Sequence, residues 1–188
     1  MQIRRQSVEA RTDSIWTIGH STLTIDDFLK LLQLNEIKIL ADVRSFPSSR
    51  RYPHFNREAL SESLAAEGIE YLHLPELGGR RRARSDSTNI AWRNPSFRGY
   101  ADYMETEAFH AGVHRLLQIA KDNRTAIMCA EAVWWRCHRG LIADYLKVAA
   151  VKVIHINSMT SNTEHPYTSA ARIQDGQLTY GAQPGLLP

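Results

Sequence analysis

Short apolar runs that alternate with amphipathic segments constrain the fold of this chain most strongly. The apolar runs lie at residues 14–19, 37–43, 69–74, 125–129 and 151–156. Their length and β-branched content are typical of buried strands. Helical spacing of apolar residues fills the intervals, at residues 24–33, 56–67, 97–120 and about 136–147. Because strands that alternate with helices pair in parallel through crossovers, the pattern predicts an α/β three-layer sandwich. We expect a mainly parallel central sheet of about five strands with helices on both faces.

Local signals place the ends of these elements. Thr24, Asn56 and Ser96 stand where helix N-caps are expected, and Gly68 stands where a helix would end. The long helical stretch has a predicted break near Thr106. An Asp-Gly pair between two alternating segments predicts a C-terminal β-hairpin over residues 172–180.

Domain organisation and compartment follow from composition. Residues 1–13 are predicted to form a polar N-terminal tail without the apolar run of a secretion signal, and residues 14–188 a single α/β domain. Residues 77–95 form a long basic loop inside that domain. The apolar stretches are much shorter than the roughly 20 residues of a membrane span, so we expect no membrane partner. Two cysteines suit a reducing compartment better than a disulfide scaffold, and a cytoplasmic location is therefore expected.

Reactive side chains follow the predicted strands in turn. The strand ends carry Gly19-His20-Ser21, Asp42 with Arg44, His73 with Glu76, Cys129 with Glu131, and His155. In an open parallel sheet, ligands bind beyond the carboxyl ends of the strands. Polar loops alone do not explain His, Cys, Asp and Glu at successive strand ends, so the sequence predicts one site at this edge.

The segment from Cys129 to Arg139 is the densest part of this cluster. With a helix starting near Arg136, Cys137 and His138 would occupy its first turn, where free N–H groups attract an anion. The same field would favour a Cys137 thiolate, although either cysteine could instead be a small buried hydrophobe. Trp134 and Trp135 cannot easily share one core, so we expect at least one to be an exposed surface for stacking or to cover the pocket.

Two other chemistries remain open for these cysteines. Zinc uses Cys and His ligands, but the spacing between Cys129 and Cys137 does not match the usual close pairs. A zinc site assembled from separate loops is a low-ranked alternative, and no cofactor is predicted. The stretch from Cys129 to Arg136 is similar to the cysteine loops of rhodaneses and cysteine phosphatases, yet it has one extra residue and two bulky tryptophans.

Basic residues suggest a second class of partner. Most of the 23 basic residues are arginines, which suit bidentate binding of phosphate. Arg50 and Arg51, and Arg80, Arg81, Arg82 and Arg84 in the long loop, alternate with aromatic residues in a way suited to nucleic acid. A solvated loop is the alternative.

Motifs in the same order as the predicted site carry a family resemblance. They include Thr17-Ile-Gly-His-Ser21, Asp42-Val-Arg-Ser-Phe-Pro-Ser48, the segment from Tyr71 to Gly79, Cys129-Ala-Glu131 and Cys137-His-Arg139. Together they resemble the domain-of-unknown-function 488 family over about residues 16–180. The activity of that family is unassigned, so the resemblance implies that these segments matter but implies no reaction. Its signature falls on Gly19, His20, Ser21, Asp42, Arg44, Pro47, His73, Leu77, Gly78, Cys129, Glu131, Cys137, His138 and Arg139.

The sequence therefore predicts an enzyme that binds a small anionic, phosphate-bearing or nucleic-acid-like substrate. The predicted catalytic residues are His20, Asp42, His73, Cys129, Glu131, Cys137 and His138. The predicted anion-binding residues are Gly19, Ser21, Arg44, Trp134, Trp135, Arg136 and Arg139. A non-catalytic nucleic-acid-binding module is the alternative, and a metal-dependent hydrolase or a rhodanese-like cysteine transferase ranks below both. The oligomeric state is not predicted.

Overall fold

A mostly parallel sheet forms the centre of the domain. The computed structural model describes residues 14–182, so the tail expected at residues 1–13 lies outside the described residues. The parallel strands are β1 (Ser14–Gly19), β2 (Ile39–Asp42), β3 (Glu70–His73), β4 (Thr125–Cys129) and β5 (Lys152–Ser158). A sixth strand, β6 (Ser161–Glu164), pairs antiparallel with β5. The order across the sheet is β3-β2-β4-β1-β5-β6.

Helices cover both faces of this sheet, as the sequence pattern predicts. On one face, α1 (Ile25–Leu34) and α2 (Arg57–Ala66) bury Phe28 and Leu64 against strand residues such as Leu40. On the other face lie α3 (Pro95–Met104), α4 (Glu107–Ala120) and α5 (Arg139–Val148), with Phe109 and Leu146 in the core. The expected hairpin is present as β7 (Arg172–Gln174) and β8 (Gln177–Thr179). The α/β three-layer fold is confirmed.

Several helix ends agree with the sequence signals. The Thr24 hydroxyl accepts a hydrogen bond from the Asp27 N–H at 3.1 Å and caps α1. Gly68 follows α2 with a φ of 68°, which a residue without Cβ adopts at low cost. The break near Thr106 is confirmed, because α3 ends at Met104 and α4 begins at Glu107.

Three local predictions are wrong. The cap of α3 is Asn94, whose side chain accepts from the Ser96 N–H, and Pro95 fills the first helical position. The helix expected from Arg136 begins at Arg139, after a short 3-10 turn at Trp134–Arg136. His155 lies inside β5 and is buried, so it does not extend from a strand end.

Strand register aligns the carboxyl ends that position the site. Gly19 of β1 is paired with Cys129 of β4, and Asp42 of β2 is paired with Met128 of β4 and with His73 of β3. The residues that follow β1, β2 and β4 therefore emerge at nearly the same level of the sheet. Within the described residues, no helix is long and apolar enough to cross a bilayer.

Candidate active site

A cavity of about 1010 Å³ opens at this edge of the sheet. Its lining combines the loops after β1, β2 and β4 with part of the long loop and the start of α3. The buried lining residues form what we call the floor: His20, Arg44, Cys129, Cys137 and His138. The exposed arginines of the lining form the rim: Arg51, Arg80 and Arg136. Loops from strands that are distant in sequence thus build one concave site, as is typical of parallel sheets.

Two sulfur atoms and one imidazole meet at the floor. Nδ1 of His138 lies 3.6 Å from Sγ of Cys137 and 3.9 Å from Sγ of Cys129. Nε2 of the same ring lies 3.0 Å from the Val43 carbonyl oxygen, which can only accept a hydrogen bond. In the neutral ring, the proton is therefore on Nε2, and the Nδ1 lone pair faces both sulfur atoms. Both cysteines are free of disulfides.

The pKa values of the two thiols are shifted in opposite directions. Burial raises the pKa of Cys137, but the hydrogen bond from Cys129, the neighbouring His138 and the Arg139 guanidinium together hold that pKa well below its usual range. For Cys129, the hydrogen bond to Cys137 and burial raise the pKa well above its usual range. The pair therefore favours a Cys137 thiolate beside a protonated Cys129.

Backbone groups near the start of α5 account for part of this environment. Cys137 and His138 precede α5 and do not occupy its first turn, contrary to the sequence expectation. The Arg139 backbone N–H still donates to Sγ of Cys137, at 3.5 Å. Gly79 packs closely on the other side, where a Cβ would overlap the His138 ring. Neighbouring backbone therefore holds both the sulfur and the imidazole in place.

A buried ion pair fixes the second part of the floor. Nε of Arg44 donates to both carboxylate oxygens of Asp42, at 2.9 and 3.0 Å, and Nη2 donates to Oδ2 at 2.5 Å. The Tyr71 hydroxyl also donates to Oδ2, and Arg44 Nη2 donates to the Phe55 carbonyl oxygen. Asp42 is fully buried and does not line the cavity. Its observed contacts hold Arg44, which leaves Nη1 as the guanidinium nitrogen nearest His20.

His20 is a neutral group at the floor. Its Nε2 lies 3.4 Å from Arg44 Nη1, which can only donate, and its ring stacks on Phe55 with centroids 4.1 Å apart. Burial lowers the pKa of His20 to about 4, and the Arg44 charge adds to this effect. The Nδ1–H of His20 can donate to the Ser21 carbonyl oxygen at 3.2 Å. At neutral pH the ring is thus an acceptor directed at Arg44.

Exposed arginines surround the mouth of the cavity. Among the described residues, no ion pair joins a rim arginine to a carboxylate. The Arg80 guanidinium lies 5.5 Å from the Phe46 ring and that of Arg51 lies 5.4 Å from the Tyr52 ring. Glu131 brings the one carboxylate of the described lining. The mouth therefore carries excess positive charge beside aromatic surface.

Some predicted site residues do not line the cavity. They are Gly19, Asp42, His73, Trp134, Trp135 and Arg139. A Cβ at Gly19 would overlap the Glu131 carbonyl oxygen, so this glycine lets the loop after β4 approach β1. Nε2 of His73 donates to the Arg44 carbonyl oxygen at 2.9 Å. Ser21, Arg44, Glu131 and Arg136 do line the cavity, together with most of the floor.

Arg139 and His155 belong to a buried polar chain behind the cavity. Arg139 Nη1 donates to the Thr17 hydroxyl at 3.2 Å, and that hydroxyl lies 2.7 Å from His155 Nδ1. His155 Nε2 lies 3.0 Å from His165 Nδ1, and His165 Nε2 lies 2.9 Å from Asp144. Arg139 Nη2 also donates to the Glu131 and Ala132 carbonyl oxygens. Arg139 thus anchors the loop after β4 from beneath.

The two tryptophans have separate environments. Trp134 stacks on His155 with centroids 4.7 Å apart and planes within 6°. Trp135 is 57% exposed. One of the pair is therefore packed and one faces solvent, as expected for adjacent bulky residues in a loop.

The basic loop is partly held by the protein itself. The Arg81 guanidinium lies 3.7 Å from the Tyr103 ring centroid, and Arg84 pairs with Glu105 at 2.9 Å. Arg82 is exposed, and Arg80 lines the cavity. The four arginines therefore do not form one uniform surface.

Sequence reasoning missed the polar lining contributed by the segment after β2. Ser45, Ser48 and Ser49 line the cavity with Phe46, and the Ser49 N–H donates to the Asn56 side chain at 2.6 Å. The signal was present, since all three serines lie within five residues after Arg44, close to the end of β2. Gly79 was also missed, because its close approach to His138 comes from distant parts of the chain.

The described residues include one group of metal-binding side chains. Cys129, Cys137 and His138 place their ligand atoms within 4.8 Å of one another. Such a trio can hold a soft or borderline divalent cation.

Comparison with known proteins identifies the family. A family model described as "Domain of unknown function DUF488" matches residues 24–146. No curated protein and no solved structure matches the chain. The matched stretch contains every floor residue except His20 and confirms the resemblance that the motifs indicate. Because it spans more than half of the 188 residues, the chain belongs to the DUF488 family.

Proposed function

We propose that the protein is an enzyme that binds an anionic, phosphate-bearing substrate of about nucleotide size in the cavity. The reaction takes place at the floor, beside Cys129, Cys137 and His138. The rim arginines bind the phosphate and the floor supplies the reactive groups. The free thiols suit a reducing compartment such as the cytoplasm.

The charge of the rim carries this proposal. Three exposed guanidinium groups without carboxylate partners surround a cavity whose described lining has one carboxylate, that of Glu131. Guanidinium groups bind phosphate oxygens in pairs, through short charge-assisted hydrogen bonds. The cavity volume of about 1010 Å³ lies at the upper end of the usual range for small-molecule sites. The site is therefore large enough for a nucleotide.

Aromatic surface beside the arginines narrows the substrate class. Phe46 is 67% exposed at the cavity, and Tyr52 and Phe97 also line it. Exposed rings of this kind stack on planar bases. A phosphate group linked to a planar ring matches both parts of the lining.

Two side chains can accept protons in the proposed reaction. The Nδ1 lone pair of His138 faces the sulfur atoms, so the ring is placed as a base or as a ligand. Glu131 stands at the exposed edge of the same cavity as a second proton acceptor. Asp42 holds Arg44 within the floor, and Arg139 holds the loop after β4 from beneath. The rim arginines are therefore the main anion ligands.

The alternative of a nucleic-acid-binding module has weaker support. Its loop arginines Arg81 and Arg84 are engaged with Tyr103 and Glu105. The Glu105 carboxylate offsets the charge of Arg84, so the loop has less net positive charge to neutralise phosphates along a strand. The cavity, by contrast, offers a concave surface with reactive groups at its buried end.

Equilibrium binding of pyrophosphate tests the anion site. Isothermal titration should show saturable binding that weakens with salt. Arg51→Ala, Arg80→Ala and Arg136→Ala should each weaken it by about tenfold or more, because hydrogen bonds to charged groups contribute about 1.5–3 kcal/mol. Lys30→Ala, Lys38→Ala and Lys121→Ala remove the same charge from exposed positions away from the cavity and should change affinity little. Equal loss in both sets would contradict a defined site.

Phosphorus NMR tests the enzyme claim separately. Nucleoside mono-, di- and triphosphates incubated with the protein should give a new phosphorus resonance for at least one compound. Cys137→Ser should abolish that signal while pyrophosphate still binds. Binding without any new resonance from these compounds would support a binding module and contradict the proposed reaction.

A further inference from the structure

The sulfur and imidazole atoms of the floor have the spacing of a metal site. We infer that Cys129, Cys137 and His138 bind one Zn²⁺ ion, with a fourth coordination position that opens into the cavity. Nothing in the family description assigns a metal to this chain. The role of the open coordination position rests on the proposed function, because it requires an anionic substrate in the cavity. Metal binding by the three side chains does not depend on that substrate.

Distances support a shared metal. Zinc bonds of about 2.3 Å to sulfur and about 2.0–2.1 Å to nitrogen, at tetrahedral angles, place the sulfur and nitrogen atoms about 3.6 Å apart. The observed separations from His138 Nδ1 are 3.6 Å to Cys137 and 3.9 Å to Cys129. All three ligand atoms lie within 4.8 Å of one another. The side chains therefore need little movement to surround one ion.

The surrounding hydrogen bonds orient the ligands. Zinc-binding histidines usually donate their other ring N–H to a carbonyl or carboxylate. His138 fits this pattern, because Nε2 donates to the Val43 carbonyl oxygen and Nδ1 is left as the ligand atom. A backbone hydrogen bond reaches the Cys137 sulfur, from the Arg139 N–H at 3.5 Å. Such a bond stabilises the thiolate form of cysteine that a metal requires.

The three ligands come from the two ends of the segment that connects β4 to α5. Cys129 ends β4, whereas Cys137 and His138 follow the 3-10 turn that precedes α5. The turn folds this segment back toward the strand end. The sequence spacing therefore hides the site, because the usual short gap between two cysteine ligands is replaced by a folded loop.

The cavity suits the fourth position. All three ligand residues line it, and all three are buried. Catalytic zinc sites keep three protein ligands and one open position for water or substrate, whereas structural sites have four protein ligands. A zinc ion at this place would polarise a phosphate oxygen or activate a water beside a substrate held by the rim.

Metal titration tests the inference on the purified chain. After chelator treatment, the protein should bind one Zn²⁺ or Co²⁺ per chain, and the cobalt form should show sulfur-to-metal charge transfer and intense visible bands of tetrahedral cobalt. Metal affinity should fall by more than about 100-fold in each of the ligand variants Cys129→Ser, Cys137→Ser and His138→Gln. Changes to residues that only hydrogen-bond to metal ligands reduce affinity by about 10- to 100-fold, so a larger loss indicates a direct ligand. His155→Gln, at another buried histidine, should retain stoichiometric binding. Failure of the native chain to bind either ion at micromolar concentration would overturn the inference.

Measurements on the native protein keep the test independent of folding. Zinc should protect both thiols from a thiol reagent, and unchanged reaction rates would overturn the inference. The triple variant Arg51→Ala/Arg80→Ala/Arg136→Ala should lose pyrophosphate binding and keep its zinc. Zinc binding without pyrophosphate binding by the native protein would sustain the metal site and contradict the anion site. The reverse result would contradict the metal site alone.

Discussion

Removing Asp42 tests how the floor of the cavity is held. The carboxylate is fully buried and accepts hydrogen bonds from the side chains of Arg44 and Tyr71, while the Arg44 side chain is 6% exposed. Asp42→Ala leaves the Arg44 charge buried without its partner. Breaking a buried pair in this way costs about 3–5 kcal/mol, because the remaining charge is neither solvated nor compensated. Urea denaturation followed by circular dichroism should show this loss in the free energy of unfolding.

Two variants complete this experiment. Asp42→Ala/Arg44→Met removes both charges of the pair and should be more stable than Asp42→Ala alone, since no unpaired charge is left buried at this position. Glu36→Ala breaks the exposed pair with Arg124 and should cost less than about 1 kcal/mol. A loss below about 1 kcal/mol for Asp42→Ala, or a double variant less stable than the single one, would refute this account of the floor.

Three further perturbations have expected outcomes of their own. The titratable or charged groups around the His155 ring are His165, Arg139 and Asp144. Burial lowers the pKa of His155 to about 3, so between about pH 6.5 and 3 the unfolded chain binds a proton that the folded chain does not. The folded state therefore loses stability as the pH falls, by up to about 1.4 kcal/mol per pH unit. The difference in unfolding free energy between the native protein and His155→Gln should narrow from pH 6.5 to 4. A difference that stays constant over this range would contradict the prediction. Gly79→Ala should lower the free energy of unfolding by about 1–3 kcal/mol, because the new Cβ forces the His138 ring aside. Gly181→Ala is the control: it has space for a Cβ and should lower the free energy of unfolding much less in the same urea assay. Thr24→Ala should cost about 1 kcal/mol through loss of the α1 cap, and an unchanged urea midpoint would argue against that cap.

Local chemistry made most of the fold predictable. The parallel strands are apolar runs with clear ends, and Thr24 and Gly68 mark helix ends through preferences that depend on few neighbours. The strand β6 was missed because Ser161–Glu164 is polar and exposed throughout, so its pairing with β5 leaves no hydrophobic pattern. Pairing at a sheet edge depends on the partner strand more than on the segment itself.

The candidate site was predictable in position but less so in roles. Strand ends indicated where His20 and Cys129 would meet, because parallel register carries them to one edge. The roles of Arg44 and Arg139 could not be read in the same way, since both arginines are bound by partners that only the folded chain brings close. The start of α5 was also misplaced, because the 3-10 turn at Trp134–Arg136 depends on packing of Trp134 against His155.

A crystal soaked in tungstate tests the central claim most directly. Tungstate has the shape and charge of phosphate and a strong anomalous signal that reveals its position. The account predicts an anomalous peak inside the cavity, within hydrogen-bond distance of at least two of Arg51, Arg80 and Arg136 and facing Cys137 and His138. Anomalous peaks found only on other surfaces would contradict the account. So would the absence of any peak when tungstate is soaked at a concentration at which pyrophosphate saturates the protein.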